Sequence, residues 1–136
     1  MKRQILATLA LLAIFQYSSS QQLVSPMQLE PDVDFENIWS SKIFSDSLST
    51  SVVIWIKNSV RLHKHANHTE HVYVLDGSAD MKLGDENLSI VGGDLIIIPK
   101  NTAHSLKVTS PGPLKVISFQ SPEFTGKDRV FLDENR

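Results

Sequence analysis

The sequence has no cysteine, which excludes a disulfide framework, thiolate-bound zinc, iron–sulfur clusters and a thiol nucleophile. Glycine and proline number six each among 136 residues, too few for collagen-like or low-complexity chains. Basic charge is not in excess either, because 13 lysines and arginines stand against 15 acids for a formal net charge of -2. Nucleic acid is therefore not the expected partner, since neutralising phosphates takes a basic face. No stretch reaches the roughly 20 apolar residues that span a bilayer. Chemistry in this chain falls to histidine, carboxylates, hydroxyls or a bound ion.

Residues 1–20 read as a secretory signal peptide. Lys2 and Arg3 form the basic start, Ile5 through Phe15 an apolar run of eleven residues broken only by Thr8, and Ser18 and Ser20 the small residues before a cleavage point. Cleavage after Ser20 leaves 11 basic and 15 acidic residues, so the expected mature chain carries -4. A mildly acidic exported domain without disulfides fits a periplasm or a bacterial exterior, and no membrane span is expected after cleavage. Asn67-His68-Thr69 and Asn87-Leu88-Ser89 are glycosylation sequons, which matter only in a eukaryotic host.

Residues 21–34, polar and punctuated by proline, are expected as an extended arm. From Phe35 onward the pattern is β. Short β-branched runs at Ser51–Lys57, Val72–Leu75, Ser78–Leu83, Leu88–Val91, Leu95–Ile98, Ser105–Thr109 and Leu114–Phe119 are separated by turn signals such as Asp76-Gly77, Gly92-Gly93-Asp94 and Pro111-Gly112-Pro113. Outside the leader no segment has apolar residues at helical spacing, so an all-β sandwich or barrel over residues 35–124 is predicted. Residues 125–136 are expected as a charged surface tail.

All five histidines, His63, His65, His68, His71 and His104, lie within 42 residues. Two positions apart on a strand, His63 and His65 point to one face. Glu70 and His104 can return to the same place from other strands, giving three imidazoles and one carboxylate, a mixture that suits divalent manganese, iron, nickel, copper or zinc. On spacing alone the tract reads equally well as a solvated polar loop or an adventitious metal-binding stretch. His68 and His71 are expected to face outward or to support the ligands from behind. Tyr73, of opposite parity to Glu70, is expected to face away from them, and Trp55 to pack in a core or an interface. Asp94 reads as a turn residue.

The segment His63-x-His65-x4-Glu70-x6-Gly77 resembles the first signature of the cupin superfamily, and Gly93-x5-Pro99-x-Asn101-x2-His104 resembles the second. Fifteen residues separate Gly77 from Gly93, the compact spacing of small single-domain cupins. Three positions depart from the pattern: Lys57 and Asn101 stand where glycines are usual, and Val108 where asparagine is. None is a ligand position, and asparagine tolerates a left-handed turn. The resemblance implies a double-stranded β-helix, a small jelly-roll-like barrel, in which His63, His65, Glu70 and His104 hold one divalent transition-metal ion. It also implies one of several activities, among them dioxygenase, decarboxylase and isomerase, on a small oxygen-bearing molecule. A non-catalytic module binding a sugar or an organic acid is the alternative. A homodimer is a further expectation, with the apolar run Val52–Ile56 covering a barrel edge.

Overall fold

The computed structural model describes residues 21–132; the expected signal peptide lies outside the described residues. Ten strands make two five-stranded sheets. In chain order they are β1 (Ile38–Ser45), β2 (Thr50–Ile56), β3 (Ser59–His65), β4 (Thr69–Asp76), β5 (Ser78–Leu83), β6 (Glu86–Val91), β7 (Leu95–Ile98), β8 (His104–Val108), β9 (Leu114–Ser121) and β10 (Arg129–Phe131). The first sheet runs β1-β2-β9-β4-β7 and the second β10-β3-β8-β5-β6, with every pairing antiparallel. The all-β expectation holds.

Period-2 alternation sets what faces inward. Along β4 the buried residues are Glu70, Val72 and Val74, while His71 and Tyr73 between them are exposed. Val72 and Val74 join Ile56, Met81, Ile90, Ile96, Ile98, Leu114 and Val116 in one apolar core between the sheets, and burial of that surface supplies the main drive to fold. Gly77 turns β4 into β5 at φ 88, where an added Cβ would lie 3.0 Å from the Leu114 Cα. Only glycine meets both the left-handed angle and the close approach.

A second, smaller core covers the outer face of the first sheet. Val53, Trp55 and Ile117 point outward there, and Leu29, Phe35, Trp39, Ile43 and Leu75 pack on them. Trp55 meets Trp39 edge-on at 5.0 Å between ring centroids. The arm is fastened at this face by Lys115, whose buried ammonium donates to the carbonyls of Met27 (2.9 Å) and Leu29 (2.7 Å). A buried cation requires such acceptors to replace its water.

Three sequence expectations are corrected. Val52–Ile56 is not an edge, because β2 sits between β1 and β9; the edge beside it is the serine-interrupted β1, whose polar residues hid it. β3 is missing from the predicted β-branched runs, and the histidine tract that on spacing alone could equally be a solvated loop begins on this strand, bulged between Val60 and His63. The stretch from residue 125 is not only a charged tail: residues 129–131 pair with β3, and Asp128 just before them is buried. Asn67 and Asn87 are both exposed. No helix among the described residues is long and apolar enough to cross a membrane.

Candidate metal centre

The two sheets bring four buried side chains to one point between them. His63 and His65 lie two apart on β3, and His63 pairs in register with His104 on β8. Ring centroids are 4.2 Å apart for His63–His104, 5.2 Å for His63–His65 and 5.6 Å for His65–His104. Glu70 reaches across from the first sheet, with Oε2 3.4 Å from His65 Nε2 and 3.5 Å from His104 Nε2.

Each imidazole is held by its other nitrogen. Nδ1 of His63 donates to the Arg61 carbonyl at 2.8 Å, Nδ1 of His104 to the Thr102 carbonyl at 2.9 Å, and Nδ1 of His65 to Asp128 Oδ1 at 3.3 Å. These partners place the proton on Nδ1 and leave the Nε2 lone pairs for another use. Glu70 is divided the same way: Oε1 accepts from Ser118 Oγ (2.5 Å) and Gln120 Nε2 (3.1 Å), while Oε2 faces the imidazoles. His65 Nε2 is buried with no hydrogen-bond partner. A buried nitrogen without a partner is costly, and a cation among three Nε2 atoms and one carboxylate oxygen removes that cost. The group can hold an ion, and its donors fit a divalent transition metal.

Charge in the group supports this. Burial works to raise the Glu70 carboxyl, but the close approach of the His104 and His65 imidazoles and the hydrogen bond from Ser118 outweigh it and hold the group well below its usual 4.5. Burial, with His104, Arg129 and His65 nearby, pushes His63 down to about 4, against the Arg61 carbonyl acting upward. At neutral pH the centre therefore offers an ionised carboxylate and, at His63, a neutral imidazole, the forms that ligate metal.

A second group shares one member with the first. Asp128, buried, lies between His65 and His68: its Oδ1 accepts from His65, and its Oδ2 from His68 Nδ1 and the Asn67 backbone N–H (3.1 Å). His68 Nε2 donates to the Glu123 carbonyl at 2.6 Å. The expectation that His68 faces outward is thus corrected to a buried ring, tied to the chain after β9, although it does stand behind His65 rather than beside Glu70. His71 is exposed on the outer face of β4, Tyr73 faces away from the centre, and Asp94 accepts the Val91 N–H at 2.8 Å to close its turn. Asp128 went unnoticed in sequence. Its only signal is the apolar run Val130-Phe131-Leu132 following it in an otherwise polar and charged stretch.

A cavity of about 100 Å³ opens beside His63, Glu70 and His104, walled by Ile54, Ile98 and Val116. Ile38 and Arg129 also line it, and an outer cleft of about 390 Å³ shares these two residues and Ile54. Apart from Arg129 and the three site residues, every residue lining the inner cavity is aliphatic or methionine. An ion there would be screened from bulk water, which strengthens its hold on any oxygen that reaches it.

Two antiparallel sheets closed around such a group define a double-stranded β-helix barrel of the cupin class. The chain belongs to the cupin domain family, whose model matches residues 52–119. An uncharacterized protein of Methanocaldococcus jannaschii is 30% identical over 81 residues, covering 60% of this chain and 65% of that relative. An uncharacterized Klebsiella pneumoniae protein with a double-stranded β-helix domain superposes with TM-score 0.70 at 18% identity, covering 85% of this chain and 100% of that one. Pac13, described as a nucleoside dehydratase, from Streptomyces, superposes with TM-score 0.58 at 18% identity over 68% of this chain and 84% of its own. These likenesses establish the fold.

Proposed function

We propose that this protein is a metal-dependent cupin enzyme, exported by its leader, that acts on a small oxygen-bearing molecule at the His63, His65, Glu70, His104 centre. The reading rests on one observation: three Nδ1-anchored imidazoles and one half-satisfied carboxylate converge, leaving His65 Nε2 buried without a partner. A bound divalent ion would act as a Lewis acid toward a substrate oxygen. The chain's own residues do the rest. Nδ1 anchors fix the rings, Ser118 and Gln120 fix the Glu70 carboxylate, and the aliphatic wall excludes water. That a structural relative is described as a dehydratase supports an enzymatic reading without selecting the reaction.

The test is elemental analysis of the untagged chain beside a His63→Ala/His65→Ala variant. About one transition-metal ion per chain in the native protein and none in the variant is expected. A native protein that stays metal-free, and whose melting temperature does not rise on addition of manganese, iron, nickel, copper or zinc, would refute the reading.

One observation favours the alternative, a non-catalytic binding barrel. The inner cavity holds no acid or base other than His63, Glu70 and His104 themselves, so proton transfer would have to come from substrate, solvent or a metal-bound group. Stoichiometric metal with ligand-dependent stabilisation, but no turnover across a panel of sugars, organic acids and phenols, would select it.

A further inference from the structure

The family match ends at residue 119, yet the mouth of the site is finished by residues beyond it. β10 pairs with β3 so that Arg129 sits opposite His65. From there Arg129 lines both the inner cavity and the outer cleft. Its guanidinium carbon lies 5.6 Å from the ring centroid of Phe124, which also lines the cleft. Among the described residues Arg129 makes no ion pair. Lys42 lines the same cleft, and no carboxylate does. In a chain of net charge -2 this is a local reversal of sign, placed where a molecule would pass to reach the imidazoles.

A second observation at the same cleft is independent of charge. Gln120 lines it, and its buried Oε1 has no hydrogen-bond partner while its Nε2 is committed to Glu70. A buried carbonyl oxygen left unpaired calls for a donor. Arginine calls for a planar or tetrahedral oxyanion, which its fork binds through two parallel hydrogen bonds.

We infer that the cleft takes a small hydroxylated organic anion, its carboxylate or phosphate held by Arg129 and a hydroxyl donating to Gln120 Oε1. This rests on the proposed function above and narrows its substrate class. Arg129 is a binding residue in this scheme, aided by the more distant charge of Lys42.

Calorimetric titration of the nickel-loaded full chain tests it with three probes that differ at one carbon: glucose, glucuronate and glucose 6-phosphate. Wild-type protein is expected to bind at least one anion about tenfold or more tightly than glucose, and the stronger of the two distinguishes carboxylate from phosphate. Arg129→Gln should erase that preference, and Arg129→Lys should restore part of it, with metal content and melting temperature unchanged in both. A wild-type protein that binds neither anion more tightly than glucose overturns the inference. So does an Arg129→Gln variant that keeps its metal and its preference. If the wild-type chain takes up no nickel, the metal reading fails only if manganese, iron, copper and zinc are refused as well, and the same titrations on the metal-free chain then decide the anion preference by the same criterion.

Discussion

Two clusters of imidazole and carboxylate share His65, and both bring three potential ligand atoms within 4.8 Å of one another. Proximity does not separate them; accounting for donors and acceptors does. In the His63, His65, His104 and Glu70 group, each ring spends one nitrogen on an anchor and leaves the other facing its neighbours. In the His65, His68 and Asp128 group both nitrogens of His68 and both oxygens of Asp128 are already engaged. The first group is open and can hold an ion. The second is closed, and its work is to hold His65 still. A carboxylate or carbonyl behind each ligand is what turns a histidine cluster into an oriented site.

Removing a member of each group should separate them most sharply. His65→Ala takes one of four donors from the open group and is expected to abolish stoichiometric metal binding, as measured by elemental analysis. Glu70→Gln should come next, because it removes the only anionic donor; Gln120 and Ser118 can still hold its side chain. Asp128→Asn touches only the support behind His65 and should weaken metal affinity by about 10–100-fold without abolishing it, read by competition with a chromogenic chelator. Equal losses from His65→Ala and Asp128→Asn would erase the distinction between ligand and support.

Acidification divides the groups by sign, best seen in metal-free protein. His63 has its folded pKa depressed to about 4, so the unfolded chain binds more protons than the folded one below about 6.5. Its contribution to stability is present above pH 6.5 and is lost as the pH falls toward 4. His68 runs the other way. Burial opposes its charge, but the Glu123 carbonyl and the Asp128 carboxylate outweigh it and raise the pKa above 6.5. That contribution is present below pH 6.5 and is lost as the pH rises through the raised value. The stability difference between wild type and His68→Gln should therefore be larger at pH 6 than at pH 8.5 in urea melts, whereas that for His63→Gln should shrink on acidification.

Much of the open group was legible in sequence because it obeys local rules. The parity of His63 and His65 is a property of any strand, and alternation on β4 puts Glu70 on the same side as Val72 and Val74. The signature spacing then supplied His104. The closed group obeys no local rule. Asp128 is 60 residues from its partner His68 and 63 from His65, and it is brought there by a three-residue strand too short to announce itself between charged neighbours. β1 escaped for a related reason: with Ser40, Ser41 and Ser45 interleaved among Trp39, Ile43 and Phe44, it lacks the continuous β-branched character of interior strands such as β2. Arg129 could not be placed at the cavity mouth until β10 was placed beside β3.

The smallest expected effect tests how far the support of the open group extends into backbone. Asn101 occupies the second signature's usual glycine position, and its φ of 66 is the only left-handed angle of a non-glycine residue among those described. The turn it makes lies three residues before His104, and its N–H donates to the His65 carbonyl at 2.6 Å. One residue thus sets the approach to one ligand and grips the backbone of another. Asparagine bears the left-handed region with less strain than other side chains, and glycine bears it freely. Asn101→Gly should accordingly leave stability within a few tenths of a kcal/mol and metal affinity unchanged. Asn101→Ala should cost about 1 kcal/mol in chemical denaturation. If the turn only connects strands, that loss will appear in the melt alone. If it also positions the ligands, the alanine variant will bind metal several-fold more weakly in the chelator competition, between the unchanged Asn101→Gly and the more weakened Asp128→Asn.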